Sequence, residues 1–187
     1  MVIQPNHILW RENRRTLPGG LKAPAKNLFR KEGNKMKLRQ QMPELTGAKA
    51  WINREVSKEQ LVGGKPALIH FWSASCRMCK EAMPEVNGFR DKYKDQLNVV
   101  AVHMPRSEDD LDLEKIKKTA AEHDISQPIY VDSDHTLTEA FENEYVPAYY
   151  VFDKSGQLRH FQAGGSGMKM LEKRVSRVLS ETEQASE

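Results

Sequence analysis

Pro66-Ala67-Leu68-Ile69-His70-Phe71-Trp72-Ser73-Ala74-Ser75-Cys76-Arg77-Met78-Cys79-Lys80-Glu81-Ala82-Met83-Pro84 contains both cysteines of the chain, with two residues between them. Upstream of the pair lies a short apolar run, rich in strand formers and too short for a helix. Downstream the period changes. Ala82, Val86, Phe89 and Tyr93 fall on one face of a helix. The cysteines therefore sit where a buried strand turns into a helix. The first turn of a helix has unpaired N–H groups and a partial positive charge. A thiolate at Cys76 is stabilised there, and Arg77 next to it adds a formal positive charge. The thiolate is the form that attacks disulfides, and Cys79, nearly one turn on, is placed to close a ring with Cys76.

The 187 residues suffice for one domain with its own core. The net charge of +3 is uneven. Residues 1–35 hold 8 Lys+Arg and 2 Asp+Glu, a balance of +6, which leaves 21 and 24, or −3, for the remainder. Beyond residue 35 there is thus no net basic surface for nucleic acid. No stretch approaches the roughly 20 apolar residues of a membrane span. Residues 1–35 lack the apolar core of a secretory signal, and Arg14-Arg15 has no apolar stretch behind it. The expected location is the cytoplasm, with no nucleic-acid or membrane partner expected, and a lone cysteine pair at this spacing is there more often catalytic or metal-binding than structural.

Residues 1–35 mix Pro, Gly, Asn and basic residues without periodicity. They read as a disordered leader, with Met36 the expected true start because codons for Lys31–Lys35 can form a ribosome-binding purine tract; a basic targeting arm is the alternative. Residues 36–183 form the expected domain, and 184–187 a frayed tail. Within 36–65 the reading is a short strand region, then one helical turn opened by the capping-box pattern Ser57-Lys58-Glu59-Gln60. Strands are expected at Pro66–Trp72, Leu97–His103, Pro128–Asp132 and Val146–Asp153. Helices are expected from the cysteines to about Lys94 with Pro84 inside, after Ser107–Asp110 to about His123, over 134–144, and from Met168 to about Glu181. Lys154-Ser155-Gly156 turns the chain into a last strand, Gln157–Ala163. The alternation implies an α/β fold, a central mixed β-sheet flanked by helices, with parallel strands and an antiparallel hairpin at one side.

Phe71-Trp72, Cys76-x-x-Cys79, Met83-Pro84, Tyr145-Val146-Pro147 before a strand and Asp153-Lys154-Ser155-Gly156 occur in one order. This ordered set resembles the TlpA/ResA branch of the thioredoxin superfamily from Met36 to about Glu183. The resemblance implies a thioredoxin fold with an N-terminal extension. It implies that Cys76 is an exposed nucleophile, that Cys79 is a buried resolving thiol, and that a cis Val146-Pro147 bond faces them with backbone that pairs to substrate. The chain departs from the pattern at four places. Ser75 stands where thioredoxins have Trp, Ala82 where ResA-type relatives have Glu, His70 where thioredoxin has a buried Asp, and Arg77-Met78 where Gly-Pro or Glu-Pro is familiar.

The candidate catalytic residues are Cys76, Cys79 and His70, the last as proton acceptor for Cys79, with Glu81 second to it. Trp72, Arg77, Val146 and Pro147 are the candidate substrate contacts. A zinc site would need two more ligands, and only His70 and His103 could converge. Asp132-Ser133-Asp134 fails as a calcium loop, since Leu137 and Asn143 stand at the sixth and twelfth positions. Gly164–Gly167 reads as a plain connection. The expected activity is thiol–disulfide exchange on a protein disulfide by a monomer, with no dissociable cofactor and with a reductase or thiol pool as electron donor. A thiol peroxidase or a non-catalytic metal-binding or adaptor module are the alternatives.

Overall fold

β2, Ala67–Trp72, lies within the uninterrupted buried run that leads up to the cysteines, and all six of its residues are buried. Its pleat divides them between two cores. Leu68 and Trp72 join Cys76, Cys79, Val86, Leu171 and Val175 on one face. Ala67, Ile69 and Phe71 join Met42, Tyr130, Phe141 and Phe152 on the other. Period two along a strand puts alternate side chains on opposite faces, so a strand buried on both sides reads as a continuous apolar run.

The computed structural model describes residues 35–184. Residues 1–34 of the expected leader and the last three residues of the expected tail lie outside the described residues. In chain order the elements are β1 (Ala50–Ile52), α1 (Lys58–Leu61), β2, α2 (Arg77–Lys92), β3 (Asn98–His103), a 3-10 turn (Glu108–Leu111), α3 (Leu113–Glu122), β4 (Ile129–Val131), α4 (Thr136–Ala140), β5 (Ala148–Phe152), β6 (Leu158–Ala163) and α5 (Met168–Gln184). The six strands form one sheet in the order β1-β4-β3-β2-β5-β6. β2, β3 and β4 run parallel, and β1, β5 and β6 pair antiparallel to their neighbours. The sheet is mixed, as the alternation and hairpin imply.

Boundaries shift for local reasons. α1 opens as the capping pattern predicts, with the Gln60 amide oxygen accepting from Ser57 N–H at 2.9 Å. α2 continues through Pro84, although proline supplies no N–H to the preceding turn. The expected tail boundary at residue 184 is corrected, because α5 remains helical to Gln184. Thr182 and Glu183 are held by bonds to the Val178 carbonyl and from Gln96.

Asp132, part of the rejected calcium pattern, instead caps α4. Its two carboxylate oxygens accept from Leu137 N–H (3.0 Å), Thr138 N–H (2.7 Å) and the Thr138 hydroxyl (2.6 Å). The side chain is 1% exposed, so water does not substitute for it. At the β5–β6 turn, Gly156 has φ +75, and a Cβ there would lie 2.9 Å from Val62 Cγ2. Both the backbone angle and the space select glycine.

Asp132→Ala leaves three buried donors without acceptors. It is expected to lower the unfolding free energy by about 2–3 kcal/mol, read from a urea titration. A loss under about 0.5 kcal/mol would show that the cap does not hold α4.

Candidate active site

The cysteine segment turns from β2 into α2 as the sequence predicts. Cys76 is the N-cap of α2 and keeps extended backbone angles. Its Sγ accepts from the Cys79 N–H at 3.1 Å. Its own N–H donates to the Ser73 carbonyl at 3.0 Å. Cys76 and Cys79 are joined as a disulfide, with Cα atoms 5.3 Å apart. An N-cap side chain usually supplies oxygen to an otherwise unpaired helical N–H. Here sulfur fills that role, and after reduction the same N–H stabilises a thiolate on Cys76. Cys79 lies within the helix and has no equivalent donor among the described contacts.

The Val146–Pro147 bond is cis, and the Val146 carbonyl oxygen lies 3.8 Å from Cys76 Sγ. In the disulfide state that contact is not a hydrogen bond, since the sulfur has no proton. The Pro147 carbonyl is committed to Gly164 N–H at 2.8 Å. This fixes the β5 entrance against the loop that follows β6. That loop is more than a connection. Gly165 packs on the active-site dipeptide, where an added Cβ would meet the Met78 Cβ and carbonyl oxygen at 3.4 Å. Met78 and Tyr145 are themselves about half exposed.

Several expectations are corrected. Cys76 is not exposed relative to Cys79, because both are 2% accessible. The Val146–Pro147 segment closes over the first cysteine, so electrostatics rather than exposure distinguishes the two sulfurs. Trp72 is not on the substrate surface. It is 1% exposed and meets His103 edge-to-face, because the pleat of β2 turns it into the core beneath the cysteines. Arg77 is exposed, but its guanidinium is bound to Glu81 at 2.7 Å. That partner offsets the positive charge expected to act on Cys76, and Glu81 is occupied as well.

His70 is buried on the cysteine-bearing side of β2, yet its Nε2 faces the Gln127 amide nitrogen at 2.9 Å. Gln127 Oε1 accepts from Arg90 Nη1 at 3.0 Å, which identifies the amide nitrogen as the donor to His70. The His70 proton therefore sits on Nδ1. Burial, with the Arg90 charge second, pushes its pKa down to about 3. A neutral imidazole so hard to protonate is a poor base for a thiol.

Sequence reasoning missed a second polar group below the cysteines. Asp110, at 0% exposed, receives the Ser73 hydroxyl at 2.5 Å, the Ser75 hydroxyl at 2.6 Å and the Arg106 N–H at 3.1 Å, all on Oδ2. His103 Nε2 accepts from Ala74 N–H at 3.2 Å. The backbone N–H can only donate, so His103 carries its proton on Nδ1. The sequence signal was the run Ser73-Ala74-Ser75 directly before Cys76, but its partner lay 35 residues from Ser75. Among the described residues no group of three or more His, Cys, Asp or Glu side chains is placed to hold a metal. No described helix is long and apolar enough to cross a membrane.

The two buried histidines tie stability to pH. Burial depresses His70 to about 3 and His103 to about 4 from 6.5, so the unfolded chain binds their protons first as pH falls. Their contribution is fully present above about 6.5 and is lost progressively toward pH 4 for His103 and pH 3 for His70. Each adds a slope of up to about 1.4 kcal/mol per pH unit. Urea midpoints measured between pH 7 and pH 4 are expected to fall, and His70→Asn to flatten that fall. An equal pH slope in the variant would contradict the assignment.

The sequence profile of the AhpC/TSA family matches residues 21–161. The chain is 83% identical over 148 residues to the thiol-disulfide oxidoreductase YkuV of Bacillus subtilis (strain 168), covering 79% of this chain and 100% of that protein. A solution structure of a thioredoxin-like protein in the oxidised form is also 83% identical, covers 79% of this chain and 99% of that one, and superposes with a TM-score of 0.74. Protein DipZ of Mycobacterium bovis is 34% identical over 143 residues, spanning 74% of this chain but 21% of that longer protein. The chain belongs to the AhpC/TSA family and has its thioredoxin-like fold, and with Cys76 and Cys79 as its redox pair it is a thiol–disulfide oxidoreductase.

Proposed function

We propose that the protein reduces disulfides in protein substrates, with Cys76 as the attacking thiolate and Cys79 as the resolving thiol. The observation that carries this reading is the N-cap geometry, in which the Cys79 N–H points at Cys76 Sγ from 3.1 Å while Cys79 lies within disulfide reach. Of the two sulfurs, Cys76 is the one whose thiolate the helix stabilises.

The exchange then runs in two balanced steps. The Cys76 thiolate attacks one sulfur of the substrate disulfide. A Cys76–substrate disulfide forms, and the other substrate sulfur leaves as a thiolate. Cys79 next loses its proton and attacks Cys76 Sγ. The mixed disulfide breaks, the Cys76–Cys79 disulfide forms, and the second substrate sulfur is released. Two electrons pass from the protein to the substrate.

The Cys79 proton goes to the departing substrate thiolate or to water rather than to His70. Transfer from an ordinary thiol, pKa about 8.5, to a group titrating near 3 costs roughly 7 kcal/mol. His70 instead braces β2 through Gln127 and Arg90. Met78, Tyr145 and Val146, around the cysteine, are the surface a substrate chain meets, and Arg77 stands at its edge. The backbone beside Pro147 is the pairing edge for that chain, in the manner of the TlpA/ResA branch.

This direction of transfer suits a monomer in the cytoplasm, where a reductase or a thiol pool returns the pair to the dithiol state. Cys76→Ser is expected to abolish reduction of a protein disulfide. Cys79→Ser is expected to accumulate the mixed disulfide, seen as a covalent adduct by intact mass. A Cys76→Ser protein that still turns over would contradict the proposal, as would adducts formed through Cys79 in that variant.

A further inference from the structure

Ser75, the residue before Cys76, has one hydroxyl proton, and that proton is given to Asp110. Ser73 gives its hydroxyl to the same carboxylate oxygen, and the Arg106 N–H completes the set. The two serine oxygens are 3.2 Å apart, so Asp110 gathers both ends of the Ser73–Ser75 turn. Between them Ala74 is tied to His103. Both hydroxyls of the turn leading into Cys76 are thus given to Asp110 and not to the Cys76 sulfur.

The anchor is itself buried and charged. Burial pushes the Asp110 carboxyl up, but the Ser73, Ser75 and Arg106 donors and the nearby His103 bring it below its ordinary value. It is therefore ionised at neutral pH. The cation nearest to it is Lys115, whose ammonium is 3.7 Å from Oδ1 and partly exposed. His103 on β3 is neutral, and Arg77 on α2 is already paired with Glu81. Around Cys76 Sγ, the Cys79 N–H favours negative charge and the Val146 carbonyl opposes it.

We propose that Asp110 is a positioning residue for the redox pair: by taking the Ser75 hydroxyl and placing a buried negative charge beneath the turn, it keeps the Cys76 thiolate less stable than the helix N-terminus alone would make it. This rests on the reading of Cys76 and Cys79 as a redox couple. The consequence concerns equilibrium. In exchange with glutathione, two glutathione thiols reduce the Cys76–Cys79 disulfide and leave as glutathione disulfide, with two electrons transferred. A less stable Cys76 thiolate shifts this equilibrium toward the protein disulfide and makes the protein a stronger reductant. Asp110 acts against α2, and the balance between them sets the poise.

The test compares the unsubstituted protein with Asp110→Asn and Lys115→Gln. Two quantities are read in each: the pH dependence of Cys76 alkylation in the reduced protein, and the equilibrium with glutathione. Asp110→Asn removes the charge and leaves an amide oxygen to accept the Ser75 hydroxyl. It is expected to lower the Cys76 thiol pKa by about one unit and, with both proteins measured at a pH above their Cys76 pKa, to move the equilibrium about tenfold toward the dithiol, or about 30 mV. Lys115→Gln, at a partly exposed side chain, removes the counter-charge and is expected to move the equilibrium about twofold the other way. It keeps the test decisive should Asp110→Asn not fold. Ser75→Ala retains the charge and is expected to leave the thiol pKa unchanged or raised.

An Asp110→Asn protein with unchanged pKa and equilibrium would overturn the proposal. So would Lys115→Gln unmoved or shifted toward the dithiol, or Ser75→Ala reproducing the Asp110→Asn shift. Absence of a reversible couple in the unsubstituted protein is a different outcome, since it overturns the redox reading on which the proposal rests.

Discussion

The active site depends on one junction, where a strand buried on both faces ends and a helix begins on a cysteine. A shift of β2 by one residue would exchange its two buried faces, which pack into different cores. That constraint fixes where the chain leaves the sheet. The first residue after the exit turn that can cap α2 is Cys76, and its sulfur takes the N–H that a serine or aspartate oxygen would usually take. Reactivity and fold thus share the same bond. The hydrogen bond that starts the helix is also the one that favours a thiolate at Cys76.

Around that junction the protein arranges opposing influences. The start of α2 stabilises negative charge on Cys76. The Val146 carbonyl at 3.8 Å and the buried Asp110 act against it. The Arg77 charge, although adjacent in sequence, is neutralised by Glu81 at its side. An exposed ion pair is worth little in itself, but its geometry removes Arg77 from the list of strong effects on the sulfur. Likewise His70 lies on the cysteine-bearing side of β2, but the Gln127–Arg90 chain uses its lone pair.

Much of the fold was legible because local signals were strong and mutually consistent. The continuous apolar run of β2, the change of period after Cys79, the Ser57–Gln60 pattern and the turn ending in Gly156 each had a local physical cause. The sulfur pair was legible for the same reason, whereas the place of Pro147 opposite it was implied by the resemblance to the TlpA/ResA branch. What escaped was long-range and polar. Nothing near Asp110 in sequence indicates that its carboxylate meets Ser73 and Ser75, because Glu108-Asp109-Asp110 looks like an ordinary acidic lead-in to a helix. The burial of Trp72 was missed because an aromatic beside a reactive cysteine suits either a surface or a core, and only the pleat of the sheet decides. Burial of Cys76 was missed because the covering segment, Val146–Pro147, lies 70 residues further along the chain. His70 is expected as a proton acceptor for Cys79, but its partner Gln127, on the approach to β4, has no local signal near it in sequence.

The central claim is that Cys76 and Cys79 form a two-electron couple poised to donate electrons. The measurement that tests it most directly is the reduction potential of the unsubstituted pair, by equilibration with glutathione buffers. The account predicts a reversible couple near that of thioredoxin, about −270 mV. A value toward about −120 mV, that of a strong oxidant such as DsbA, would contradict the direction of transfer. Absence of a reversible couple would contradict the claim altogether.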